Sequence, residues 1–194
     1  GVHSGCREKS PANGNPVDPA PRTVRTLIDA AQVEARIAEM ATQIVNEEGE
    51  PPILIGILNG AAPFMMSLLQ AFPTPYAERV DWDFVDASSY DGDESTGVVR
   101  IDRDPVIELS DRPILLVDGI VDTGRTIAAV LDRLKLLTSS SIRVVTLLDK
   151  PSRRVVSVPV HYRGFEIEDL FVVGYGMDWN QRYRSLRYIG VVED

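Results

Sequence analysis

The 194-residue sequence contains a single cysteine, Cys6, and only two histidines, His3 and His161. One cysteine excludes an internal disulfide and fits a reducing compartment. The same shortage leaves too few soft ligands for an ordinary zinc site. No apolar run approaches the ~20 residues needed to span a bilayer as a helix. The N-terminal residues also lack the apolar core of a secretory signal. Positive charge is scarce: 20 Lys and Arg face 29 Asp and Glu, for a net charge of −9. That balance denies the chain the broad basic surface that nucleic-acid binding uses. These shortages predict a cytoplasmic protein with neither membrane nor nucleic acid as a partner. An acidic chain that binds a phosphorylated ligand must rely on backbone amides and a few well-placed cations.

What is present is ordinary for a globular protein, with 44% hydrophobic and 25% charged residues. The length suits one domain with a substantial core. Residues 1–22, rich in Gly, Pro, Ser and Asn and without periodicity, read as a mobile tail. Cys6 and His3 fall in it. Residues 23–194 read as a single domain. Its first expected element is a helix capped by Asp29, with Gln32 placed to complete a capping box. Val33, Ile37, Met40, Ala41, Ile44 and Val45 then recur at helical spacing.

Ile53 to Leu58 is a short, continuously apolar run, as expected of a strand buried on both faces. Asn59-Gly60 turns the chain into an apolar helix ending near Phe72. A second strand spans Val80 to Val85, the stretch Ser88 to Thr96 is polar, and Gly97 to Ile101 is a candidate hairpin arm. Ile114 to Val117 is another buried strand and Arg125 to Leu137 a helix. Ile142 to Leu148 and Leu170 to Val173 are further β-rich runs, the latter followed by an aromatic and basic C-terminal segment. Strands alternating with helices predict an α/β fold, a parallel sheet of about five strands flanked by helices. In such sheets a ligand sits beyond the carboxyl ends of the strands.

The segment Ile114-Leu-Leu-Val-Asp-Gly-Ile-Val-Asp-Thr-Gly-Arg-Thr126 is therefore the most informative. A buried strand runs into Asp118 and Asp122, then into a Thr123-Gly124-Arg125-Thr126 turn that opens a helix. Backbone N–H groups and the helix dipole make such a turn a phosphate site. The Thr123 and Thr126 hydroxyls add donors, and Gly124 permits close backbone approach. Two carboxylates beside a phosphate are repulsive unless they bind ribose hydroxyls, a divalent cation or a transferred proton. Elsewhere Phe171 has a face on which a purine can stack, though its apolar setting also fits a core residue. A lysine ammonium is purely a donor, so Lys150 suits a purine O6 carbonyl and not an adenine amino group, although alone it reads as a surface lysine. Tyr175, Trp179 and Tyr183 read as packing residues, and His161 as structural.

The Asp118 to Thr126 segment resembles the phosphoribosyl pyrophosphate signature of type I phosphoribosyltransferases. Lys150, Gly164-Phe165-Glu166-Ile167 and the run from Phe171 to Arg184 narrow the resemblance to hypoxanthine-guanine phosphoribosyltransferases. It extends from about Thr26 to Val192. The resemblance implies the type I fold with a small hood built from the chain ends. It also implies transfer of a 6-oxopurine base to phosphoribosyl pyrophosphate, with Mg²⁺ as cofactor, in a homodimer or homotetramer. Asp122 then handles the proton on purine N7, and Thr123 to Thr126 hold the 5-phosphate. Asp118 serves ribose and metal, and Asp178 the metal beside the purine. Asn59, Gly60, Ser89, Tyr90 and Arg184 face pyrophosphate. Lys150, Phe171 and the Val172 backbone take the base.

Two positions depart from the family pattern. Asp118-Gly119 stands where two adjacent acidic residues are usual, and Asn59 where lysine is common. Two further readings follow: a catalytically weak nucleotide sensor on the same fold, or a xanthine-preferring enzyme. The residues do not separate hypoxanthine, guanine and xanthine, because those bases differ at a position read mainly by backbone carbonyls.

Overall fold

The computed structural model describes residues 22–89, 97–109 and 111–193. Cys6, His3 and Tyr90 thus lie outside the described residues, as does all of the expected tail except Arg22.

Three runs dominated by Ile, Leu and Val form the centre of the molecule. Ile53–Leu58 (β2), Ile114–Val121 (β5) and Ile142–Asp149 (β6) are buried along most of their length. Such strands have no solvated face, so they show no polar alternation. With Asp81–Ser89 (β3), Val99–Arg103 (β4) and Tyr162–Glu166 (β7) they make a six-stranded sheet of order β4-β3-β2-β5-β6-β7. Neighbours from β3 to β7 are parallel, and β4 pairs antiparallel with β3 as the expected hairpin arm.

Ala30–Glu48 (α1) and Ala62–Ala71 (α2) cover one face of the sheet, followed by the short Thr74–Ala77 (α3). Arg125–Leu137 (α4) covers the other. In α1 the capping box is formed: the Gln32 amide donates to Asp29 Oδ1 at 2.8 Å, and the Asp29 amide to Gln32 Oε1 at 3.0 Å. Its buried stripe is Val33, Ile37, Met40, Ala41 and Ile44. A cap contributes about 1 kcal/mol, whereas each large apolar side chain in that stripe contributes about 1.5–3 kcal/mol on burial. Packing therefore fixes the helix, and the cap sets where it begins.

The two ends of the chain meet in a second sheet. Thr23–Ile28 (β1), Val172–Val173 (β8) and Ile189–Glu193 (β9) pair antiparallel in the order β1-β9-β8. The first element is thus a strand, not the capped helix expected from the sequence. Most of β1 is exposed or half-buried, and it exists because β9 supplies its hydrogen-bond partners from the far end of the chain. Short-range patterning carries no trace of such a pairing. Arg22, at the edge of the expected tail, is engaged as well: its amide donates to Tyr183 Oη at 3.2 Å, and its guanidinium lies 5.4 Å from the Trp179 ring centroid. No helix among the described residues is long and apolar enough to cross a membrane.

His161 joins β6 to the segment before β7. The Val144 amide donates to its Nδ1 at 2.8 Å, which only the neutral ring can accept. Burial, then the nearby Arg143, lowers its pKa below the ordinary value of 6.5, with Glu48 opposing. The stabilisation is therefore full above the unfolded value and lost as pH falls through the folded one, because the unfolded chain takes up the proton first. Urea midpoints should drop between neutral and mildly acidic pH more steeply in the native chain than in His161→Gln. Equal drops would remove His161 from the pH dependence.

Candidate functional site

The ends of β2, β3 and β5 and the turns after β2 and β5 line a cleft of about 400 Å³. That volume is in the range of small-molecule sites. At its centre, β5 passes through Asp118 and ends at Val121, and the chain turns at Asp122, Thr123 and Gly124 into α4. Gly124 adopts φ +88°, and a β-carbon there would lie 2.4 Å from the Val156 carbonyl oxygen. Only glycine meets both conditions without strain. The Gly124 carbonyl accepts from the Ala128 amide, so the turn is continuous with the helix. The N-terminus of α4 faces the cleft through Gly124, Thr126 and Ile127, with no acidic residue in the first turn to oppose an anion.

Three other segments complete the walls. After β2 come Asn59 and Gly60, joined to it by a cis Leu58–Asn59 peptide. The end of β3 contributes Asp86, Ala87 and Ser88. The connection between β8 and β9 contributes Asp178, Gln181 and Arg184. Arg184 is held there by donating to the Gly176 carbonyl at 2.6 Å and to Gln181 Oε1 at 3.0 Å, and it lies 3.6 Å from Asp178 Oδ1. The Gln181 amide in turn donates to Asp178 Oδ2 at 2.8 Å. Arg184 is thus a fixed cation and not one of a solvated basic face.

Gly119 packs against the Asn59-Gly60 turn: a β-carbon at 119 would lie 2.9 Å from the Gly60 carbonyl oxygen. A side chain at 119 would therefore require that turn to shift. Asp118 uses one oxygen to accept from the Gly119 amide at 2.8 Å.

On the far side of Asp122 lies a chain of alternating charges. Arg153 Nε donates to Asp122 Oδ1 at 3.0 Å and lies 3.7 Å from Asp169 Oδ1. Lys150 Nζ is 3.8 Å from the same Asp169 oxygen. Lys150 is only 6% exposed, against its reading as a surface lysine, and its amide donates to the Val121 carbonyl. Phe171 is 55% exposed, so the core alternative for it is overturned. Val172 is buried in β8.

Of the residues singled out in the sequence, Asn59, Gly60, Asp118, Asp122, Thr123, Gly124, Thr126, Asp178 and Arg184 line the one cleft. Lys150 adjoins it through its amide hydrogen bond to Val121, whereas Phe171 and Val172 are not among its lining residues. Ser89 and Arg125 instead face a smaller recess with Gly97 and Val99. Asp86, Ser88, Gln181, Arg153 and Asp169 are not singled out in the sequence. Strand alternation could have separated Ser88 from Ser89 had the end of β3 been known.

Alanine at 124 should cost at least about 1–3 kcal/mol, the typical cost of a left-handed non-glycine residue, because the Val156 carbonyl must also move. A urea melt of Gly124→Ala with an unchanged midpoint would contradict this backbone geometry.

Comparison with known proteins agrees with this arrangement. Residues 24–180 match the phosphoribosyl transferase domain family. The hypoxanthine phosphoribosyltransferase of Escherichia coli K12 is 42% identical over 174 residues, covering 88% of this chain and 96% of that protein. A bifunctional TilS/HprT protein of Listeria innocua is 39% identical over 171 residues, and the chain spans 26% of its length. A crystal structure of a hypoxanthine-guanine phosphoribosyltransferase from Bacillus anthracis superposes with a TM-score of 0.81 at 33% identity, covering 89% of this chain and all of that one. Sequence and fold thus agree over nearly the whole described chain, which belongs to the phosphoribosyltransferase family, among the hypoxanthine and hypoxanthine-guanine phosphoribosyltransferases.

Proposed function

We propose that the chain is a purine salvage enzyme that joins hypoxanthine or guanine to phosphoribosyl pyrophosphate, releasing pyrophosphate. The observation that carries this reading is the shared cleft at the carboxyl ends of the strands. There the turn before α4, the carboxylates of Asp118, Asp122 and Asp178 and the fixed Arg184 converge, with Lys150 hydrogen-bonded to the same strand end.

In this reading the 5-phosphate rests on the Thr123 to Thr126 turn, where the α4 dipole and the threonine hydroxyls stabilise it. Ser89 borders this turn across an adjoining recess that Arg125 of the turn also lines. Asp118 receives the ribose hydroxyls. Asp122 takes the N7 proton as the base attacks the anomeric carbon. Lys150 donates to O6, the exposed Phe171 ring stacks on the base, and the Val172 backbone reads its edge. Arg184, Asn59 and Gly60 meet the pyrophosphate. The all-oxygen donors Asp118 and Asp178 suit Mg²⁺, which binds through few carboxylates and substrate phosphates. When bound, Mg²⁺ supplies charge stabilisation to the departing pyrophosphate.

Native protein supplied with phosphoribosyl pyrophosphate, Mg²⁺ and each of hypoxanthine, guanine, xanthine and adenine should form nucleotide from the 6-oxopurines alone. Asp122→Asn should lower kcat by about 10²–10⁴-fold, the usual worth of a positioned proton acceptor. Lys150→Gln should weaken kcat/KM for the base by about 10- to 100-fold, since bonds from charged donors are worth ~1.5–3 kcal/mol. Nucleotide binding without turnover of any base would replace this reading with a sensor.

A further inference from the structure

Between the base side and the phosphate side of the cleft lies a charged group that neither role explains. Asp149, the last residue of β6, is fully buried at 0% exposure. An ionised carboxylate in that setting requires strong partners. It has two: Arg154 Nη2 donates to Oδ1, and Arg163 Nε donates to Oδ2 at 2.7 Å. Arg163 lies in β7, whereas Arg154 reaches the turn after β5. Its Nη1 donates to the Asp122 carbonyl at 2.7 Å and to the Val121 carbonyl at 3.3 Å. The amides of Val155 and Val156, the next two residues, both donate to the Thr123 carbonyl, at 2.9 and 3.0 Å. The Arg154 Cδ also lies 3.0 Å from where a β-carbon of Gly124 would stand. The back of the Val121 to Gly124 turn is therefore held at successive carbonyls by a single short segment.

We infer that Arg154 is a positioning residue for the phosphate-binding turn, keyed by the buried Asp149. The guanidinium suits the task because its fork presents several donors in one rigid plane, so a fixed carboxylate on one side sets the direction of the donors on the other. Carbonyls drawn backward onto Arg154 leave the opposite side of the turn to face the cleft. Asp149 also directly precedes Lys150 and pairs in register with Val121. The same anchor thus keeps the base side and the phosphate side at a constant separation. A small misplacement of a bound reactant is expensive even when the altered residue touches no substrate.

This inference rests on the proposed reading of the turn as a phosphate site. The two basic partners of Asp149 allow the role to be separated from simple stability. Arg154→Gln leaves the buried carboxylate paired with Arg163, and Arg163→Gln leaves it paired with Arg154. Both should lower the melting temperature. Only Arg154→Gln should weaken binding of the probe ribose 5-phosphate, measured by titration calorimetry on the folded protein, by about 10- to 100-fold. It should raise KM for phosphoribosyl pyrophosphate while KM for the base stays near native, and Arg154→Lys should recover part of the loss. Equal affinity in Arg154→Gln and native protein, or an equal loss in both glutamine variants, would overturn the inference. Native protein that fails to bind ribose 5-phosphate would instead overturn the reading of the turn itself.

Discussion

The site depends on β5 lying between β2 and β6 with both of its edges paired in parallel. A strand buried on both faces has no water to satisfy its amides, so its neighbours must supply every hydrogen bond. Parallel neighbours require long crossovers, and the crossovers carry the covering helices. One consequence is that the ends of β2, β3, β5 and β6 all lie at the same edge. Asn59 and Gly60 follow β2, Ser88 is the penultimate residue of β3, Asp122 follows β5 and Lys150 follows β6. None of these residues needs an interaction of its own to come near the others, because the sheet delivers them together.

The second sheet closes what the first leaves open. Both termini contribute to it, and its β8–β9 connection brings Asp178 and Arg184 over the strand ends. The approach is close: the Gly176 carbonyl holds Arg184, and a β-carbon at 176 would clash with the Gly60 carbonyl. Backbone thus meets backbone where side chains would otherwise intervene, and the cleft wall on that side is set by main-chain packing.

The charge distribution follows the same logic. A chain with net charge −9 still assembles Lys150, Arg153, Arg154 and Arg184 around one edge of its sheet. Each cation has a defined partner: Asp169, Asp122, Asp149 or a main-chain carbonyl. Local pairing of this kind holds cations in place in an acidic protein without creating the broad positive field that would attract polyanions. The exposed pairs contribute little stability. The buried Asp149 differs, because leaving its carboxylate without a partner would be costly.

The amino-acid order alone determined whatever depends on neighbours a few residues apart. The Asp29–Gln32 capping box and the Arg125 to Leu137 helix are of this kind, as are the dry strands β2, β5 and β6 and the glycine turn after β5. Their causes are caps, periodicity and backbone conformation, all written locally. The tertiary structure decided what depends on residues far apart in sequence. β1 exists only because β9 pairs with it, Lys150 is buried and Phe171 exposed because of how β6 and β8 are covered, and Ser88 rather than Ser89 reaches the cleft. The Asp149–Arg154 anchor is legible only partly from the chain: the two residues are five apart, but the carbonyls they hold belong to another strand end. Hydrogen bonding and desolvation are set by distance in space, and distance in space is what the fold adds to the sequence.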